Sequence, residues 1–540
     1  MRIFGRFLGG MLLMTSLAAL SAADTPAYGL LSAADFRLVR GDCVDCAGLP
    51  QAMWFFRQET IAIPRPGLPQ AGYARELRAV DDLRAWHAAT PLDQPPDYPS
   101  LVWVASPETL PSARLDPEAR HWQTPDARLD FALAPRLASN RSYFNAARRR
   151  AFAGRDLRLR GSFSDEGRGF VARSLWPHDY RLPQTPALAP LPGAPEAWPM
   201  ALRDAVRRDA QDGFDARLLW QRSPEQTSPR PGQAVLGLML NGAQGDDDEA
   251  HAGHFALLTG RVGARGAMHD WLVANYYTLD SESEKGIIAA MQPLDGYLGD
   301  LNSGQAWYRP SWMLVVTLRE SRTADHLHSA LARVFNQFYR HQFVYQHAVA
   351  NCTGISVSTL RTLDWQVPAL GATSWWKAAV ALPGAAVATG SLEKGKALFD
   401  YLTEDQTRLF PAQAFEQAGA DLLRLASGQT VRPLSAFELA LAEDIEAIHL
   451  VRVPQFPSSR AFGTYPVAGV DEYRARFPQD PAQRQIVPVG PRPFPAVLKD
   501  PLTPARPRLR SDYALAVGGV LLAGLVGWAL RAWLRRRPRA

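Results

Sequence analysis

The sequence predicts an α+β protein. An antiparallel sheet carries a cysteine-bearing helix, a β-rich N-terminal region and a helical C-terminal region flank it, and one transmembrane helix closes the chain. Three observations predict this. Short apolar runs separated by turn residues crowd the first third of the chain. Strand and helix patterns alternate over residues 232–370, and residues 374–450 carry Ala-rich helical runs. A chain of 540 residues has room for several domains with substantial cores. The hydrophobic share of 47% is ordinary for a globular protein and too low for a multi-span transporter. The net charge of +6 comes partly from two basic ends, so it gives no argument for nucleic-acid binding.

The β-rich region spans residues 24–180, with apolar runs at 36–39, 53–56, 60–63 and 101–104. Residues 181–231 are rich in Pro and read as a linker. Residues 232–370 are the most organised part. A buried strand is expected at 234–240, then an acidic loop of Asp246, Asp247, Asp248 and Glu249, and a strand at 254–259. Turn residues at 260–266 lead to a returning strand at 271–279, and a further strand is expected at 312–318. Thr323 can cap a helix bearing Leu327, Leu331, Val334, Phe335 and Phe338 at helical spacing. Asn351 and Cys352 then open another, carrying Val357, Leu360 and Leu363. Residues 371–485 read as mainly helical, and 486–511 as a Pro- and Arg-rich stalk.

Both ends carry targeting features. Residues 1–23 read as a signal peptide: Arg2 and Arg6 precede an apolar run at 11–19, and Ser21, Ala22 and Ala23 suit a cleavage site. Residues 512–534 read as a membrane span, because about twenty largely uncharged residues cover roughly 30 Å of hydrocarbon. Trp528 and Trp533 suit the interface, and the basic tail at 535–540 favours a cytoplasmic C-terminus. A single-pass bacterial inner-membrane protein with a periplasmic body is therefore expected. In that compartment Cys43 and Cys46 are expected to form a disulfide, leaving Cys352 as the odd thiol.

Cys352 is the candidate nucleophile. Asn351 can cap the helix that follows, placing the thiol at the positive end of the helix dipole, where thiolate is favoured. The first-turn backbone N–H groups could also stabilise an oxyanion. His254 is the candidate base, opening an apolar strand just after Gly253. If Gly260 pairs near Ala267, His254 lies opposite Val273, and Asn275 becomes a diagonal neighbour on the same face. Asn275 is then the first choice to orient the imidazole. His269, further along that face, is the reserve. His251 and His254 beside four acids could suggest a metal. Their spacing lacks the helical His-Glu-x-x-His arrangement, so no metal and no cofactor are expected. His326, His328, His341 and His347 read as surface or helix-packing residues.

Gly253, His254, Phe255, Ala256, Leu257 and Leu258, with Asn351, Cys352, Thr353 and Gly354 downstream, resemble the permuted papain-like fold of NlpC-type and lecithin:retinol acyltransferase-like enzymes. The chain is more similar still to the periplasmic domain family of bacterial lipoprotein intramolecular transacylase. Val273 to Tyr277, Gly296 to Gly299, the strand at 312–318, the helix after Thr323 and the Asn351–Cys352 pair follow that family's order. The resemblance covers residues 232–370. The turn between the first two strands is longer here, the family's multi-span membrane part is missing, and both flanks differ. It implies a permuted papain-like domain and a cysteine-dependent hydrolase or acyltransferase. The substrate would be an ester or amide of a lipid, lipoprotein or envelope component, and the expected C-terminal span makes the lipid bilayer a partner. The same residues fit a cell-wall peptidase or amidase. A non-catalytic envelope scaffold with a buried Cys352 is the opposing reading.

Overall fold

The apolar runs at 234–240, 254–259 and 312–318 become the strands Ala234–Asn241, His254–Arg261 and Ser311–Leu318. The computed structural model describes residues 27–40, 59–65, 79–96 and 101–491, with short gaps at 119, 138–139, 141, 165, 208–211, 225–227, 280, 283–285, 340 and 458–460, and a few residues from Tyr513 onward. The three strands pair antiparallel in the middle of a ten-stranded sheet. From one edge its order is Asp215–Gln221, Ile445–Val453, Ser311–Leu318, Ala234–Asn241, His254–Arg261, Leu272–Asn275, Ala290–Pro293, Val102–Ala105, Thr60–Pro64 and Phe36–Arg40. Among the described strands of this sheet, Ala290–Pro293 and Val102–Ala105 are the one parallel pair.

Both faces of the central strands are covered, which is why they are apolar throughout rather than alternating. Leu257, Leu272 and Ala274 join a core built with the helices Arg322–Tyr339, Cys352–Thr362 and Pro411–Ser427. Ala256, Leu258 and Val273 join a second core on the opposite face. That core is shared with a closed barrel of the strands Glu108–Leu115, His121–Gln123, Arg128–Leu133, Asp156–Phe163 and Gly169–Pro177. The architecture is thus helices, sheet and barrel in three layers: α+β, β-rich in its N-terminal half and helical toward the C-terminus.

Distant segments weave into this body. The stretch read as a linker supplies the edge strand Asp215–Gln221, paired with Ile445–Val453. It also supplies the helix Trp198–Val206, which buries Leu202 and Val206 in the helical core. Val487, in the stretch read as a stalk, is buried.

Several expectations are corrected. Among the described residues no helix is long and apolar enough to cross a membrane. This overturns the transmembrane helix of the expected fold and the single-pass inner-membrane placement derived from it. The fairly apolar helix Trp375–Thr389 has 15 residues, about 22 Å at 1.5 Å each, and contains Pro383. The expected span at 512–534 lies almost entirely outside the described residues, as do the signal peptide at 1–23 and the tail at 535–540. The disulfide is corrected too. Cys352, the cysteine within the described residues, is free, and Cys43 and Cys46 fall outside them.

The expected hairpin register also changes. Val273 pairs with Leu258 rather than with His254. The connection is wide because Trp271 packs against Gly260, where an added Cβ would meet its ring at 2.4 Å, and donates its indole N–H to the Arg261 carbonyl at 2.7 Å. Gly266, at φ +84°, turns the connection against the Leu182 carbonyl.

Candidate active site

The site forms where the histidine strand begins and the cysteine helix begins. Gly253 adopts φ +74°, and a Cβ there would sit 2.5 Å from the Asn241 carbonyl and 2.7 Å from Pro466. Only glycine makes this turn without strain. It delivers His254 into the strand opposite Asn241, whose amide donates to Ser311 Oγ at 2.8 Å and whose Oδ1 accepts from the Tyr297 hydroxyl.

Asn351 caps the cysteine helix. Its Oδ1 accepts from the Gly354 N–H at 2.7 Å, and its amide donates to the carbonyls of His347 at 2.9 Å and Leu409 at 3.0 Å. Cys352 is therefore the first helical residue, behind a cap that is fixed from three directions. Just upstream, Gln346 and Ala350 exchange two backbone hydrogen bonds, at 2.9 and 3.1 Å, folding the chain back on itself. The fold-back brings the Tyr345 hydroxyl onto the Cys352 backbone N–H and thiol.

Burial pushes the Cys352 thiol up, yet opposing contacts draw it down to about 6. The first is the charge of the His254 imidazole, which also hydrogen-bonds the sulfur. The Phe255 backbone N–H and the Thr353 hydroxyl, 3.8 Å away, add to it. The same neighbourhood acts on Tyr345: burial and then the negative sulfur push its phenol well above the usual range. The pair thus favours thiolate with a neutral tyrosine beside it, an arrangement in which the phenol donates to negative charge.

Cys352 and His254, each nearly buried, line a cavity of about 750 Å³. Its polar lining includes Asp247, Glu249, Asn275, Gln305, Arg309 and Arg474, and its apolar lining includes Leu398, Leu409, Phe410, Val470 and Val487. The strap carrying Val487 is tied down nearby: Asp248 N–H donates to the Gln485 carbonyl at 2.9 Å, and Gln485 N–H to Asp248 Oδ2 at 2.7 Å.

The other sequence-predicted residues separate. Asn275 lines the same cavity, but its amide donates to the Ile288 carbonyl at 2.5 Å, and its Oδ1 is buried without a partner. His254 Nε2 is likewise buried without a partner, so no hydrogen bond joins the two residues. His269 does not belong to the site. The wide hairpin connection carries it to Asp270, 3.4 Å away, within an ion cluster against the barrel. His251 pairs with Asp248 at 3.5 Å, and among the described residues no cluster of His, Cys, Asp and Glu side chains suits a metal.

Sequence reasoning missed Arg309 and Tyr345, and read His347 as a surface or helix-packing residue; all three are on the cavity wall. Arg309 and Tyr345 carry no local pattern that marks them. His347 could have been noted from its place four residues before Asn351, on the turn that feeds the helix. No family model, curated protein or solved structure matches this chain.

Proposed function

We propose that this protein is a cysteine-dependent acyltransferase or hydrolase acting on an ester or amide with an apolar acyl portion, as in a lipid or lipoprotein. The observation that carries the reading is the Cys352 thiol and the His254 imidazole side by side on the wall of a largely apolar cavity, with the imidazole drawing the thiol down. A low-lying thiol beside an imidazole is the activated pair that nucleophilic acyl transfer needs.

In the proposed reaction the proton passes from Cys352 Sγ to His254, and the thiolate attacks the carbonyl carbon. The Tyr345 phenol, already bonded to the Cys352 backbone N–H and the sulfur, is poised to donate to the oxyanion. The tetrahedral species expels an alcohol or amine, which takes the proton from the imidazolium, and a thioester remains on Cys352. Water or a second acceptor then attacks that thioester, with His254 taking its proton, and releases the free thiol. The helix end fixes the nucleophile, so little geometry must be found during the reaction.

The test is incubation with p-nitrophenyl octanoate followed by peptide mass mapping. An octanoyl group on Cys352, and p-nitrophenolate release lost in Cys352→Ser, are expected. Release that survives this substitution unchanged contradicts the reading.

A further inference from the structure

We infer that Arg309 is the substrate-recognition residue of this cavity, taking an anionic group, carboxylate or phosphate, carried close to the scissile carbonyl. The inference rests on the acyl-transfer reading above and narrows its substrate class to anionic amphiphiles.

Arg309 is buried, yet it lines the cavity together with Cys352 and His254. Its partners are neutral: Nε and Nη2 both donate to Gln305 Oε1, and Nη1 donates to the Gly242 carbonyl at 3.1 Å. No carboxylate among the described residues forms an ion pair with it. A buried cation is costly unless an anion compensates it, and the usual solution is a carboxylate. The buried Arg160 follows that rule with Asp295 and Asp270, and Arg333 follows it with Asp82. A guanidinium held by neutral groups is not by itself a site. Arg148 is one, but it is closed off over the Trp307 ring, 4.5 Å from its centroid. Arg309 differs in facing the cavity that holds the nucleophile.

Electrostatics agree with this placement. Burial pulls Arg309 down, and the groups that support its charge are Tyr297, the Cys352 sulfur, Tyr277 and Asp247. Arg309 and Cys352 line the same cavity, so an anion held by the guanidinium would share that space with the reacting carbonyl. Of the five guanidinium N–H groups, Gln305 and Gly242 engage three, leaving one on each terminal nitrogen to donate to an oxyanion. Gln305 and Gly242 also lock the guanidinium plane, so little freedom is lost on binding. The apolar lining of Leu398, Leu409, Phe410 and Val470 suits the aliphatic remainder of the molecule.

The test compares alkylation of Cys352 by iodoacetate, which is anionic, with iodoacetamide, which is neutral and nearly isosteric. Peptide mapping reads Cys352 alone. The iodoacetate-to-iodoacetamide rate ratio should fall about tenfold or more in Arg309→Met and be partly restored in Arg309→Lys. A merely structural role for Arg309 would slow both reagents alike, and an unchanged ratio overturns the inference. If Arg309→Met fails to fold, the wild-type chain still decides. Octanoate or octyl phosphate should protect Cys352 from iodoacetamide at about tenfold lower concentration than octanamide. Equal protection by all three overturns the inference, and the better of the two anions identifies carboxylate or phosphate. Failure of the acyl-transfer reading looks different: iodoacetamide then modifies Cys352 with the pH profile of an ordinary thiol, whatever the anion preference.

Discussion

Two buried polar clusters lie within the fold, and they are built on opposite terms. Against the barrel, Arg160 meets Asp295 at 2.7 Å and Asp270 at 2.9 Å, Arg158 meets Asp295 at 3.3 Å, and His269 meets Asp270 at 3.4 Å. Burial pushes the Asp270 carboxyl up, but His269, Arg158 and Arg160 outweigh it and hold that carboxyl well below the usual range. At the cavity, by contrast, His254 Nε2 and Asn275 Oδ1 have no hydrogen-bond partner, and Arg309 has only neutral ones. The first cluster is closed and fastens barrel strand to sheet. The second is open, and its unmet groups line the cavity that holds the thiol. Paired charge of the first kind serves architecture, whereas buried polar groups left open beside a cavity are free to meet a ligand.

Substitutions can break this comparison, beginning with the largest effect. Cys352→Ala should abolish octanoyl transfer from p-nitrophenyl octanoate while thermal unfolding stays cooperative, because the nucleophile is lost and the buried side chain shrinks by a single atom. Arg160→Met should do the reverse. It leaves Asp295 and Asp270 undercompensated, costing about 3–5 kcal/mol in urea unfolding, yet Cys352 alkylation per folded molecule should stay unchanged. A loss below about 1 kcal/mol, the worth of a surface pair, would remove the distinction between the two clusters.

His254→Ala is expected to return the thiol toward its ordinary value and to slow acylation at pH 7 roughly thirtyfold, the drop in thiolate fraction from a value near 6 to about 8.5. The same shift has a stability sign. An acid depressed by folding stabilises the folded state above its unfolded value and loses that contribution as pH falls through its folded one. Wild type should therefore gain stability over Cys352→Ala between about pH 6 and 8.5, read by chemical denaturation across that window. The smallest effect is assigned to Asn275→Ala: a few-fold slower acylation with an unmoved thiol profile, since Asn275 has no direct bond to His254. A thirtyfold loss there would make Asn275 an equal member of the pair.

The parts of this account legible in the sequence were those with local signatures. Gly253 before an apolar strand and Asn351 before Cys352 are short-range devices, a positive-φ turn and a helix cap, and each acts on its immediate neighbour. The apolar runs of the three central strands were legible for the same reason. What depended on remote packing was not. The hairpin register was set by Trp271 lying on Gly260 and by Leu182 against Gly266, contacts that spacing alone does not encode. That register sent His269 to the barrel cluster. Arg309 reaches the cavity through Gly242 and Gln305, and no periodicity announces such a bond. The linker and stalk readings followed Pro content, and the chain uses those segments as an edge strand and a cavity wall.

The central claim is that His254 holds Cys352 as a thiolate, and the pH dependence of Cys352 alkylation by iodoacetamide tests it most directly. In the wild-type chain the rate should be half-maximal near pH 6. In His254→Ala the midpoint should move to about 8.5, the ordinary thiol range. A wild-type midpoint already at about 8.5, or one that His254→Ala leaves in place, would contradict the account.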